Sequence, residues 1–297
     1  MSILIAGATG LVGKQIALAL QGKTGHVRGL VRGGASHPKA SDLVAAGIEI
    51  AIGDLREPST LARACVGVDT VVCTATTMPT GADDGLRRVD HDGVLALIDA
   101  AERAAVKKFV YTSYSGNIEI DCPLRTAKRD CEARLRQSGM DVVILRPTYF
   151  MELWLGPLLG FDPLNGTARI YGDGNGNVSY VSALDVAEFA VAAALKPMPK
   201  ETILEIGGPE ALSQLDAVRS FERVLGTTCR LEFVPIEALR QQHLSSDPLE
   251  KTFGALMLAY ADGDVIAGAA ETAAEYGIAL RTLSDYATSV AAARLTL

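Results

Sequence analysis

Three glycines near the amino terminus, Gly7, Gly10 and Gly13, are the residues whose type and spacing most directly imply chemistry. They stand in the string GATGLVG, directly after the apolar run from Ser2 to Ala6 and directly before a stripe of Val12, Ile16 and Leu20 at helical spacing. A strand that turns through glycines into a helix gathers backbone N–H groups and the positive end of the helix where a pyrophosphate would lie. Gly7 permits the tight turn, Gly10 lets phosphates approach the backbone, and Gly13 lets the helix sit close to the strand. The first step of the triplet is one residue wider than the usual dinucleotide fingerprint.

Residues further along complete a dinucleotide site. At the end of the second strand an NAD site would place Asp or Glu on the ribose hydroxyls, whereas this chain has Arg32 followed by Gly33, Gly34 and Ser36. Arg32, with Lys39, is therefore expected to pair with a 2′-phosphate, and the cofactor is expected to be NADP(H); the competing reading is a solvated surface arginine. Asp54 and Leu55, at the end of the third strand, are placed to flank an adenine, unless they form a simple turn in which Asp54 accepts backbone N–H bonds. Thr9, Leu11 and Val12 in the loop, and Thr74, Ala75 and Thr76 after the fourth strand, complete the expected cofactor-binding set.

The elements that must position these residues follow from periodicity. Short β-rich runs alternate with amphipathic stretches, as in repeated βαβ units. Strands are expected at Ser2 to Ala6, His26 to Arg32, Ile48 to Ile52, Thr70 to Thr74, Phe109 to Thr112 and Val142 to Leu145. Helices are expected from about Leu11, through Val94, Leu97, Ile98 and Ala101, and from Ser182 to Leu195; a further strand ends at Gly207. The pattern loosens after Arg146-Pro147, where Gly172 to Asn177 reads as a hairpin or loop tip, and residues 240–270 are left open as a lid or an interface. The fold class is thus α/β: a Rossmann-type doubly wound parallel sheet with a smaller carboxy-terminal α/β substrate domain. Residues 1–150 form the dinucleotide-binding domain, to which 178–207 return, and 151–297 form the substrate-binding or cap region.

Composition excludes several other classes. At 297 residues and 48% hydrophobic the chain can bury a full core without disulfides or metal. A net charge of -7 with no Lys/Arg run gives no footprint for nucleic acid. The start has no signal-peptide architecture, and the apolar stretch from Trp154 to Phe161, broken by Gly and Pro, is too short to span a membrane, so a cytoplasmic protein without a membrane span is expected. Five cysteines without CxxC spacing and four scattered histidines argue against a disulfide framework and against a metal site.

Taken together, GATGLVG, LVR at Arg32, GDL at Asp54, VKKFVYTS ending at Ser113, LRPTYFME from Leu145 and EIGGPE near Pro209 resemble the NmrA-like family of atypical short-chain dehydrogenases/reductases, to about residue 225. The resemblance implies a Rossmann fold with a small carboxy-terminal substrate domain. It also implies a range of functions: NADPH-dependent quinone reductases, isoflavone-reductase-like enzymes, redox-sensing regulators without catalysis, and assembly factors. Typical members of the broader superfamily use a YxxxK pair, in which Tyr donates a proton and Lys holds the nicotinamide ribose. Lys128 fits the lysine, but Leu124 stands where the tyrosine would be. The isoflavone-reductase-like branch assigns a lysine at this place to catalysis or cofactor binding, so Lys128 is expected in both roles.

Two further residues complete the expected catalytic set. Ser113, at the end of the fifth strand, is placed to hydrogen-bond a substrate oxygen, and Tyr149 or Tyr114 to supply the missing phenol unless they are packing. Tyr149, Phe150, Met151, Trp154 and Phe161 either wall a pocket for a flat apolar acceptor or join the cap to the Rossmann domain. The expected activity is an NADPH-dependent reductase acting on a small apolar, aromatic, quinone or enone-type acceptor. The alternative is a non-catalytic NAD(P)(H)-binding redox sensor or assembly factor, and a homodimer is left open.

Overall fold

The computed structural model describes residues 1–81 and 84–294. The chain divides into two compact units: Met1–Tyr114 with Pro123–Arg146 and Val186–Leu204 form the first, and Ser115–Cys122 with Pro147–Asp185 and Glu205–Leu297 form the second.

The first unit is built on a seven-stranded sheet of β1 (Ser2–Ala6), β2 (His26–Val31), β3 (Glu49–Ile52), β4 (Thr70–Cys73), β5 (Lys108–Thr112), β6 (Asp141–Pro147) and β7 (Glu201–Ile206), in the order β7-β6-β5-β4-β1-β2-β3. The strands are parallel: Ile3 lies beside Val27 and Thr70, and Tyr111 beside Cys73 and Ile144. Bonds from Val142 N to Lys200 O and from Thr148 N to Ile206 O extend the same direction to β7. Every residue of β1 and β4 is buried, which is why these strands read as continuous apolar runs rather than as alternation.

Helices α1 (Leu11–Leu20), α2 (Asp92–Arg103) and α4 (Ala183–Leu195) follow as the periodicity requires, and α3 (Pro123–Arg136) adds a helix between β5 and β6. In α2, Val94, Leu97, Ile98 and Ala101 form the buried stripe, with Asp92 in the first turn and Arg103 in the last, both favourable to the helix dipole. Chain order reverses between β1 and β4, whose following segments therefore leave to opposite sides and open a crevice at the strands' carboxyl ends. The glycine loop follows β1 and Thr74 follows β4, so the topology brings them to that crevice.

In the second unit, Phe161–Asp162, Thr167–Tyr171 and Arg230–Val234 form one small sheet, and Asn177–Val178 pairs with Leu212–Ser213 in another. Because Thr167–Tyr171 and Asn177–Val178 belong to different sheets, the Gly/Asn-rich segment between them is a connecting loop and not a hairpin. Helix α5 (Gln214–Leu225) begins with a capping box between Ser213 and Asp216 and stops at Gly226 in the left-handed region. Helix α6 (Pro248–Asp262), capped by Asp247, occupies the stretch left open as lid or interface and buries Ala255, Leu256, Met257, Ala259 and Tyr260. Helix α7 (Leu283–Arg294) is the last element among the described residues, and its Tyr286 ring meets that of Phe221, which in turn meets Phe161 at 5.2 Å. No helix among the described residues is long and apolar enough to cross a membrane.

Candidate cofactor and active site

The glycine loop has the geometry its spacing implies. Gly7 has φ +88, and a Cβ there would stand 2.7 Å from Thr74 Oγ1 and 2.8 Å from Ala75 N. A Cβ on Gly13 would stand 2.2 Å from Gly7 O, so any side chain would force helix and loop apart. Gly10 differs. It is exposed, in extended conformation, and a Cβ on it would meet only Gly7 O, at 3.2 Å, so its outer side is open to an approaching group.

Gly10 N donates to Gly7 O at 2.9 Å, and the helical ladder starts with Lys14 N on Gly10 O. The first-turn N–H groups of Leu11, Val12 and Gly13 thus lack intrahelical partners, and α1 has neither a side-chain cap nor an acidic residue in its first turn. An uncapped helix start beside half-buried Thr9 is the physical requirement for binding a phosphate.

Across the crevice, Thr74 N donates to Ala6 O at 2.9 Å, Ala75 is buried, and exposed Thr76 accepts the Met78 N–H on its hydroxyl at 3.1 Å. The loop is anchored from below by Asp90, fully buried, whose Oδ2 accepts from Thr77 N at 2.9 Å and Thr77 Oγ1 at 2.7 Å. Asp90 escaped sequence reasoning; its one signal is an acid directly after Val89 in a segment that packs as core.

At the ribose end, Arg32 directly follows β2, and both it and Lys39 are exposed. Neither side chain is bonded to another described residue, so both cations are available. Asp54 and Leu55 behave as a turn: Asp54 Oδ1 accepts from Arg56 N at 2.9 Å, and Thr60 Oγ1 accepts from Asp54 N at 3.0 Å. The Leu55 side chain belongs to the hydrophobic core beneath α2, where a Cβ on Gly93 would stand 2.8 Å from Leu55 Cβ.

At the carboxyl end of β5, Lys128 is 5% exposed. Its Nζ donates to Thr112 O at 3.0 Å and lies 5.1 Å from the centre of the Tyr111 ring. Leu124, one turn earlier on α3, is buried and offers no proton. The i, i+4 neighbour Glu132 does not face Lys128; fully buried, it is ringed by arginines. Arg146 forks onto it with Nε at 3.1 Å and Nη2 at 2.5 Å, Arg129 reaches it at 2.7 Å, and Arg136 at 3.4 Å.

Burial works against the Glu132 carboxylate, but Arg146, the Ser113 hydroxyl and Arg129 outweigh it and hold the carboxyl below the usual range. Ser113, 5% exposed, accepts from Arg129 at 3.2 Å, so its hydroxyl is part of this network. Neighbouring thiols are inert: burial pushes Cys73 up to about 11 and Cys131 up to about 12.

Tyr149 lies in the second unit. Its ring meets Trp154 at 4.6 Å edge-on and Tyr260 at 4.9 Å, and its hydroxyl donates to Leu256 O at 2.9 Å. Tyr149, Trp154 and Phe161 are all buried, so these rings fill the interior of their own unit. The structure thus brings Gly7, Gly13, Thr74 and Ala75 into one constellation, sets Lys128 and Ser113 at the end of β5, and places Tyr149 in the aromatic core of the other unit.

A uniformly parallel sheet with a glycine-built, uncapped helix start at its switch point defines the class: an NAD(P)(H)-binding Rossmann protein. The family model for the NmrA-like family matches residues 1–286, and the chain belongs to that family. It is 31% identical over 297 residues to the NAD(P)H azoreductase of Xenophilus azovorans, covering 98% of each chain. It is 32% identical over 246 residues to the photosystem II assembly factor Ycf39 of Trieres chinensis, covering 81% of this chain and 74% of that one. Among solved structures, the Citrobacter sp. triphenylmethane reductase complexed with NADP(H) superposes with a TM-score of 0.78 at 20% identity, over 97% of this chain and 99% of that one, a likeness of fold. The family therefore includes NAD(P)H-dependent reductases, and assembly factors stand among the relatives.

Proposed function

We propose that the protein is an NADPH-dependent reductase of an apolar acceptor of the quinone, enone or aromatic type. Bound NADPH supplies the hydride. The observation that carries this reading is the buried Lys128 ammonium at the end of β5, in the same unit as the open start of α1. A buried ammonium is unfavourable without partners, and Thr112 O takes only one of its three N–H donors. The other two are left to orient a ribose hydroxyl and to deliver a proton from Nζ.

The loop of Gly7, Thr9, Gly10, Leu11, Val12 and Gly13 would hold the pyrophosphate. Arg32 and Lys39 would hold the 2′-phosphate, and Asp54, Thr74, Ala75 and Thr76 would border the cofactor. Leu55 is left to the core. Ser113 would fix the end of β5 through its bonds to Arg129 and Glu132. Tyr149, its hydroxyl occupied by Leu256 O, would act through packing, and the proton is assigned to Lys128 instead.

A second reading has its own support in Leu124, which leaves the usual phenol position empty, and in the likeness to an assembly factor. On it, the same loop binds NADP(H) in a protein that senses the nucleotide or escorts a partner. Fluorescence titration with NADPH and NADH, followed by nicotinamide absorbance with quinones, enones, azo compounds and aromatic ketones, separates the two. The expected result is turnover that Lys128→Ala abolishes, with NADPH affinity lowered ~10-fold in Arg32→Ala by loss of a charge-assisted contact. Tight binding without turnover across the panel would establish the sensor or escort, and no binding of either nucleotide would overturn both.

A further inference from the structure

We infer that the strand Arg230–Val234 is a self-association edge, which pairs antiparallel with the same strand of a second copy of this chain. It is an outer strand of the second unit's three-stranded sheet, bonded on one side only, to Thr167–Tyr171. The register of that parallel pair decides which groups are left over. Arg230 N donates to Gly166 O at 2.8 Å and Val234 O accepts from Gly172 N at 2.9 Å, so Arg230, Glu232 and Val234 turn their backbone groups inward. The N–H and C=O of Leu231 and Phe233 therefore point out from the sheet, and no described residue bonds to them. Phe233 is also 54% exposed, an apolar ring beside unpaired backbone.

An unpaired edge alone does not name its occupant, but the side chains along this one do. With a twofold axis at Leu231, that residue lies opposite Leu231 of the second copy and the two exchange both backbone bonds. Arg230 then lies opposite Glu232, and Glu232 opposite Arg230, in the pairs whose side chains approach most closely. Phe233 lies opposite Cys229, to whose carbonyl its N–H donates; the Cys229 N–H is already given to Glu222 Oε1 at 2.8 Å. Moving the axis to Arg230 or to Glu232 would set like charges opposite each other. Moving it to Phe233 would set Pro235, which has no N–H, opposite Leu231.

The charges that fix this register are in place on one face of the strand. Arg230 meets Glu232 at 2.7 Å, and their side chains are 72% and 43% exposed. A carboxylate has two oxygens and can hold the guanidinium of the second copy as well as its own. The outer strands of the large sheet lack this property. The charged side chain of β3 is Glu49 and those of β7 are Glu201 and Glu205, so no self-pairing of either strand sets opposite charges across the seam.

The test reads the oligomeric state of the full chain by sedimentation velocity from about 1 μM to about 1 mM, the span of affinities open to a short edge, and single-amide exchange by NMR at both ends of that range. The chain is expected to dimerise, and the amides of Leu231 and Phe233 to exchange more slowly as concentration rises, while those of Arg230, Glu232 and Val234 are protected throughout. Arg230→Glu and Glu232→Arg each set like charges opposite and should weaken the dimer about 10-fold, and the two together should restore it. Leu231→Pro removes an outward N–H that the folded sheet does not use, so it should abolish the dimer and leave the melting temperature of the monomer nearly unchanged. Because neither Arg230 nor Glu232 is buried, the charge reversals decide the matter even where the proline unfolds the strand. A chain that is monomeric at every concentration, or a dimer in which the Leu231 and Phe233 amides are not slowed, overturns the inference and leaves the edge to solvent or to a strand of another protein. A dimer lost in Leu231→Pro but indifferent to both charge reversals overturns the register.

Discussion

Each unit contains a buried carboxylate that ties distant pieces of chain together, and the two are solvated by the protein in opposite ways. Glu132 in the first unit is held by the guanidinium groups of Arg129, Arg136 and Arg146. Asp264 in the second is held by two hydroxyls and an amide, from Ser115, Thr148 and Asn117. Guanidinium groups only donate, whereas hydroxyls can turn and accept. The first cluster therefore depends on charge at its centre, and the second depends on shape and hydrogen bonding.

The largest effect should follow from removing the charge of Glu132. Glu132→Gln leaves three arginines around a neutral amide and is expected to cost about 3–5 kcal/mol, measured as a fall in the denaturant midpoint. Replacing Glu132 and Arg146 together by Leu should recover part of that loss, because the uncompensated charge goes with its partner. The acid limb of the stability profile gives the same contrast. In the folded chain the Glu132 carboxyl keeps its charge to lower pH than in the unfolded chain, so its stabilisation is complete above the ordinary carboxylate range. It is lost as pH falls through the lowered value, and Glu132→Gln should flatten that limb.

Asp264→Asn should be milder, about 1–3 kcal/mol, because the Thr148 or Ser115 hydroxyl can reverse and accept from the new amide. A loss as large as that of Glu132→Gln would break the distinction between the clusters. Tyr149→Phe removes a neutral hydroxyl outside both and should cost about 1 kcal/mol, with any turnover of the purified protein unchanged. Turnover that disappears in Tyr149→Phe would restore the phenol to the chemistry.

What was legible in the sequence is what is local. The glycine loop, β1, α1 and the stripe of α2 are specified by residues within a few positions of one another, and the structure has them where the spacing requires. The two carboxylate clusters were not legible. Glu132 and Arg146 are 14 residues apart and Asp264 and Ser115 are 149 apart, so neither pairing leaves a periodic trace. Glu132 could be read only as a helix neighbour of Lys128, a contact the fold does not make. Leu55 illustrates a second limit: a strand-end motif such as GDL says where the chain turns, but not which side chain the core claims. The aromatic segment after Arg146 could be read as a pocket wall or as a joint between cap and Rossmann domain; the rings of Tyr149 and Trp154 meet instead that of Tyr260, more than a hundred residues away in the same unit, a contact that leaves no local trace.

The order of the sheet has a consequence for how the chain is made. Strand β6 is complete once residue 147 has been synthesised, but its outer neighbour β7 comes only with Glu201–Ile206. During emergence from the ribosome β6 therefore presents a bare, apolar edge through most of the second unit's first half, the condition under which strands pair with the wrong chain. A nascent chain stalled in this interval should be the form most in need of a chaperone.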